Sequence, residues 1–293
     1  MKLLTIDSRE VAGRPGALLA SGEILDLAAT PSTLSDSQWI PYSIVSLLAA
    51  GAGGLEQVGR LIKAAENAEG AEREKLKSKG ALLPFAGTAL MAPIRRPGLV
   101  LVAGQDSGTD IKSPNTAVGN GASVKVPWAA GEPVMGTGML AIVIGRAIFQ
   151  ANPAMAGDAI VGYTLLIDLA KQANGAERSV TEWRRYMESR QFPGACPIGP
   201  VIITKDEIDD PGALRAVVEI NGIEMAAGTL YEQGLDPGAL LAELSQRYAF
   251  RPGDLIAVEP PADSGPGRPQ ELGIGDLFTF RLDDLAALDV TIT

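Results

Sequence analysis

The chain has 293 residues, of which 46% are apolar, 20% charged and 5% aromatic, and its formal net charge is −10. That length suffices for one large globular unit or two unequal ones, and the negative charge disfavours nucleic acid and anionic membranes as partners. The sequence contains no histidine, which removes Ser-His-Asp and Cys-His arrangements, imidazole metal ligands and the usual general base near neutral pH.

Cys196 has no second cysteine to pair with, so a reducing compartment is expected. The opening MKLLTIDSRE reaches charged residues too early to contain the apolar segment of a signal peptide. No run approaches the roughly 18 apolar residues of a membrane span. A cytoplasmic location with no membrane partner is therefore expected.

In chain order, Lys2 to Ile6 and Glu23 to Leu27 read as short strands separated by a Gly-Pro-Gly turn region around Gly13 to Gly16. A helix follows Pro41, with Ile44, Leu47 and Leu48 on one face. Another begins after Gly54 and presents Leu55, Val58, Leu61 and Ile62 at helical spacing. The charged, Ala-rich run from Glu66 to Lys79 is a solvated helix or a linker. A small α+β unit over 1–92 followed by a larger, mainly β unit over 93–293 is the expected division.

In the larger unit, Leu99 to Ala103, Leu140 to Ile144, Tyr163 to Ile167, Val201 to Thr204, Leu214 to Ile220, Leu255 to Val258 and Leu277 to Leu282 read as strands. Asn221-Gly222 between apolar runs signals a hairpin. Ser179 and Glu182 fit a capping box opening a helix through Arg190, with Val180, Trp183 and Met187 on one face. Asp236-Pro237 opens another helix that would bury Leu240, Leu241 and Leu244. The glycines at 119, 121, 131, 136 and 138 superficially suggest an anion-binding loop. The 113–138 stretch nevertheless lacks both the P-loop and the Rossmann pattern, so nucleotide binding is not expected.

Several segments occur in the order found in a known family. Pro93 to Ala103 (PIRRPGLVLVA), Leu140 to Gly145 (LAIVIG), Val161 to Asp168 (VGYTLLID), Cys196 to Pro200 (CPIGP), Asn221-Gly222, Pro252 to Ala257 (PGDLIA) and Gly275-Asp276 resemble landmarks of the fumarylacetoacetate hydrolase family. The resemblance spans about 93–290. It implies an α+β, mainly β fold: a rolled mixed β-sandwich with a small N-terminal α+β domain, usually dimeric. It also implies chemistry beside a carbonyl, in which an enolate is stabilised on Mg²⁺ or Mn²⁺.

The same resemblance exposes departures. The family's Glu-x-Glu metal ligands fall at Thr137 and Met139, which leaves Asp168 as the one ligand retained. A thioether is a poor ligand for a hard cation. The catalytic histidine and its partner glutamate fall at Thr109 and Lys112. The active-site lysine falls at Arg190, which keeps the charge but cannot serve as a base, and a nearby arginine falls at Gln172. Where the family has Thr-Gly-Thr-Pro, Val258-Glu259-Pro260-Pro261 stands.

The expectation is thus a divergent hydrolase, lyase or isomerase acting on a small carboxylate-bearing oxo or enol compound without a tightly bound metal. Weak Mg²⁺ or Mn²⁺ binding at Asp168 stays open. The alternative is a catalytically silent protein that keeps the fold as a binding partner. Asp168 is a candidate general base, its pKa raised by apolar strand neighbours, or else a structural relic. Arg190 is a candidate oxyanion or carboxylate contact. Thr109 and Asp110 are candidates for orienting a water, on a loop that would otherwise simply be exposed. Gln105, Lys112, Gln172, Glu182 and Arg184 are candidate substrate contacts, although Glu182 doubles as a cap and Arg184 can pair with Glu188. Cys196, without a histidine partner, is expected to be buried and inert. Glu132 is a metal ligand only if the alignment is out of register, and Lys171 is a remote candidate for a Schiff base.

Overall fold

The computed structural model describes residues 1–8, 13–30, 41–104, 108–128, 132–171, 180–231, 235–261, 265–283 and 285–293. Strands β1 (Lys2–Ile6), β2 (Arg14–Leu18), β3 (Glu23–Asp26) and β4 (Leu82–Pro84) form an antiparallel ladder. The region expected as a turn thus carries β2, whose Pro15 stands near its start. Helices α1 (Ile44–Ala49), α2 (Gly51–Asn67) and α3 (Gly70–Ser78) lie between β3 and β4. Ser43 caps α1, its hydroxyl accepting from the Ser46 amide at 3.1 Å. Val58, Leu61 and Ala65 form the buried stripe of α2, whereas α3 buries only Leu76. The charged run is therefore a solvated helix fastened by one leucine.

After the two-residue β5 (Leu90–Met91) come β6 (Val100–Ala103), β7 (Thr109–Lys112), β8 (Ala117–Val118), β9 (Ala122–Val124) and the long β10 (Val134–Ile144). Next are α4 (Pro153–Ala159), β11 (Ile160–Lys171), α5 (Val180–Glu188) and β12 (Cys196–Thr204). The rest comprises β13 (Arg215–Ile220), β14 (Ile223–Thr229), α6 (Pro237–Ser245), β15 (Leu255–Val258), β16 (Gln270–Leu272), β17 (Leu277–Leu282) and β18 (Ala286–Ile292). Asp236 caps α6, accepting from the Ala239 amide at 2.9 Å. Asn221 and Gly222 take φ of 54° and 76° and close the β13–β14 hairpin, the conformation that two-residue hairpins favour.

Two mixed sheets result. One runs β4-β3-β2-β1-β12-β11-β10-β15-β6-β7, and the other runs β14-β13-β17-β18-β9. The N-terminal ladder joins the first sheet where β1 pairs antiparallel with β12. Between the sheets lies an aliphatic and phenylalanine core that includes Leu140, Ile142, Leu165, Ile167, Val218, Phe278, Phe280 and Val290. On the opposite face of the first sheet, Val100, Met139, Ala141, Leu166 and Ile198 pack with Val58 and Leu61 of α2.

Strands β10, β11 and β12 extend well beyond their apolar cores. Gly136 and Gly138, which look like loop residues, lie inside β10 because the second sheet approaches there. A Cβ on Gly138 would fall 2.2 Å from the Phe280 ring. Gly136 and Gly138 are thus gaps for packing. Gly138→Ala should accordingly lower stability by roughly 1–3 kcal/mol, the usual range for overpacking. In a Phe280→Leu background its added cost should fall, as read by denaturant titration of the four proteins of the cycle.

Candidate active site

Asp168 on β11 stands directly across from Thr137 on β10, and Leu166 across from Met139. Alternation along the strands puts these four side chains on one face of the first sheet, the face turned toward the N-terminal helices. The strand register that follows from the backbone thus brings Thr137, Met139 and Asp168 together.

Both oxygens of Asp168 are occupied. Oδ1 accepts from Lys112 Nζ, and Oδ2 accepts from Arg190 Nη2. Lys112 Nζ also donates to the Ala195 carbonyl at 2.7 Å, and Arg190 Nη1 donates to Asp110 Oδ2 at 2.6 Å. Lys112 is fully buried, at 0% exposure. Two cations and two carboxylates therefore form one alternating chain, Lys112–Asp168–Arg190–Asp110, with Asp110 at its more open end. Arg190 Nε is buried without a hydrogen-bond partner among the described residues, and the Arg190 guanidinium lies 5.4 Å from the centre of the Tyr186 ring.

Lys112 reaches Asp168 from a distant strand. In the sheet order β7 is remote from β11, but beyond Lys112 a short turn at Pro114–Thr116 leads into β8, which pairs with Cys196 and Pro197 of β12. Gln191 fastens the crossing from both sides: its Oε1 accepts from the Ser113 amide at 2.7 Å, and its Nε2 donates to the Ile111 carbonyl at 3.0 Å. The Ala195 carbonyl that holds Lys112 also accepts from the Leu169 amide at 3.0 Å. These backbone contacts set the position of the ammonium.

The electrostatics follow from this packing. Burial alone would raise the Asp168 carboxyl, but Lys112 and Arg190 outweigh it and hold the pKa below the ordinary carboxylate range. The raised pKa expected of a general base is not found, because the apolar neighbours along β11 are countered by two direct cation contacts. Burial opposes the Arg190 charge, yet Asp168, Tyr186 and Asp110 raise its pKa further. Burial pushes the Cys196 thiol up to about 12, so it stays protonated and inert.

Thr109 Oγ1 lies 2.8 Å from the Tyr248 hydroxyl, at the opening of β7. Arg184 is exposed on α5. Gln105, Gln172 and the proposed Ser179 cap lie outside the described residues, as does the side chain of Glu182. Lys171 forms a half-exposed ion pair with Glu132, which accounts for both residues away from Asp168. Sequence reasoning overlooked Gln191, Tyr248 and the Ala195 carbonyl, none of which carries a local signal. It named Lys112 without linking it to Asp168.

A model of the fumarylacetoacetate (FAA) hydrolase C-terminal region matches residues 109–293. The chain belongs to the fumarylacetoacetate hydrolase family. An uncharacterized protein of Staphylococcus aureus (strain USA300) is 27% identical over 253 residues, 81% of this chain and 80% of its own length. The fold is shared with maleylpyruvate hydrolase from Sphingobium sp. SYK-6, at a TM-score of 0.74 and 22% identity over 100% of this chain and 99% of that one. That enzyme is also known in complex with manganese(II) ion and pyruvate. A 2-hydroxyhepta-2,4-diene-1,7-dioate isomerase from Mycobacterium marinum is 26% identical, with a TM-score of 0.61 over 73% of this chain and 81% of its own.

The described residues around Asp168 do not fit such a divalent ion. Thr137 and Met139 carry no charge, the oxygens of Asp168 are engaged by cations, and no group of three acidic, cysteine or histidine ligands exists among the described residues. The carboxylate acts instead as the hub of an ion network. Asp168→Ala should destabilise the protein by about 3–5 kcal/mol, since it strands two buried cations. The native pKa of Asp168 lies below its unfolded value of about 3.9. Its stabilisation is therefore complete above that value and lost as pH falls through the native one. Chemical denaturation from pH 6 to pH 3 should show a shallower loss of stability in Asp168→Asn than in the parent.

Proposed function

We propose that this protein transforms a small carboxylate-bearing oxo or enol compound, as a hydrolase, lyase or isomerase of the family's kind, without a tightly bound metal. The observation that carries this reading is the engagement of both Asp168 oxygens by Lys112 and Arg190. In this reading the cationic N–H groups of the network would stabilise the negative charge that a reaction beside a carbonyl builds on oxygen. The Arg190 Nε–H, which makes no hydrogen bond among the described residues, would serve such an oxyanion or a substrate carboxylate.

Asp168, with a lowered pKa and both oxygens taken, is an anchor in this reading and does not move protons. That task falls to Asp110, whose side chain is 22% exposed, or to a water oriented by Asp110 and Thr109. The hydrogen bond to Tyr248 fixes the Thr109 hydroxyl for this role. Gln105, Gln172, Glu182 and Arg184 are the proposed substrate contacts. Enolisation, isomerisation, dehydration or decarboxylation suits this charge distribution better than carbon–carbon hydrolysis, because a single guanidinium stabilises less charge than a dication. The named maleylpyruvate hydrolase and heptadienedioate isomerase support the substrate class. A cytoplasmic homodimer is the accompanying proposal, in keeping with the family's habit.

One observation favours a second reading, that of a silent binding partner: the network satisfies Asp168 and Lys112 internally, with no ligand. The two readings separate in a thermal-shift screen of oxo acids, acylpyruvates and dicarboxylates with and without excess Mg²⁺, followed by turnover assays on the hits. A ligand at about one hundred times its dissociation constant adds roughly 2.7 kcal/mol of stability. Stabilisation and turnover with chelator present support the proposal. Turnover only with Mg²⁺ refutes its metal-free part, and a complete lack of response favours the silent partner. For an active hit, Arg190→Lys should lower kcat by roughly a hundredfold or more, the effect of losing one oxyanion donor.

A further inference from the structure

We infer that Lys112 is a cation built into the chain, its ammonium filling the position at Asp168 that a divalent ion would otherwise need. The inference extends the metal-free reading of the site but does not depend on turnover. Its first support is the donor set. Lys112 Nζ meets a carboxylate oxygen of Asp168 and the carbonyl oxygen of Ala195, and these are the oxygen types that a hard cation takes.

The second support is charge. A dication beside one carboxylate is left mostly uncompensated, whereas one ammonium is matched one to one. Arg190 is in turn matched by Asp110, so the four groups sum to zero. Thr137 and Met139 fit this arrangement because a glutamate at either position would overturn the balance. The third support is burial. A lysine at 0% exposure is tolerated only when its charge is paired and its hydrogen bonds are made.

The assignment predicts that metal binding can be restored only by removing the ammonium. Parent protein, Thr137→Glu/Met139→Glu and Lys112→Ala/Thr137→Glu/Met139→Glu would be stripped of metal and titrated with MnCl₂. Bound Mn²⁺ is read by electron paramagnetic resonance, and Tm is followed in parallel. The parent should hold no stoichiometric Mn²⁺ and show no Mn²⁺-dependent rise in Tm. The triple variant should bind one equivalent, at least about tenfold more tightly than the double variant in which Lys112 still repels the ion.

One equivalent bound tightly by the parent, or equal binding by the double and triple variants, would overturn the inference. Should the triple variant not fold, Lys112→Ala alone decides. Its lowered Tm should recover in part with ethylammonium chloride and not with sodium chloride at the same ionic strength, and absence of that difference counts against the assignment. None of these readings requires a substrate, so failure to find a reaction leaves them intact.

Discussion

The site is organised around one carboxylate shared between two cations. Taking ions out of water costs several kcal/mol each unless partners and hydrogen bonds replace the solvent. Around Asp168 the replacement is nearly complete, because β7 supplies Lys112 and Asp110 while the stretch between α5 and β12 supplies Arg190 and the Ala195 carbonyl. The strand and the crossing are held in turn: β11 by its ladders with β10 and β12, and the 111–113 crossing by the Gln191 side-chain amide. Displacing any one of them would leave a charge without a counterpart, so the network fixes the mutual placement of elements that are not sheet neighbours.

Much of the fold was legible because its strands carry dense aliphatic runs. Leu255 to Val258 and Leu277 to Leu282 have the same ends in sequence and structure. Boundaries failed where a residue that suggests a turn is used for packing. The 113–138 stretch superficially suggests a loop because of its glycines, yet Gly136 and Gly138 lie in β10 and admit Leu272 and Phe280 from other strands. Cys196 to Pro200, left out of the strand expected from Val201 to Thr204, begins β12. In both cases the deciding partner is a side chain or strand remote in sequence, which a local pattern does not reveal.

The site was less legible than the fold, and for a different reason. Asp168, Thr137, Met139 and Arg190 were picked out by resemblance to a family whose functional residues occupy matching positions. What a residue does after its neighbours have changed cannot be carried across in that way. Lys112 aligns with a carboxylate, and the reversal of sign at that position acquires meaning only beside Asp168, 56 residues away in the chain. The raised pKa expected for Asp168 rested on the apolar composition of β11. That composition is real, but the charges that reverse its effect come from elsewhere.

The junction between the N-terminal ladder and the rest of the first sheet bears on how the chain acquires its shape. Lys2 faces Ile203, so β1 is synthesised long before the strand it must pair with. The early ladder can form among β1, β2, β3 and β4, and β5 pairs with Thr5 and Ile6 on the other edge of β1, but Lys2 and Leu3 on that edge must wait for β12. Such edges are sticky toward other chains, and pairings between distant segments form slowly because a long loop must close first. That short stretch of β1 therefore stays unpaired on this side until synthesis has delivered β12.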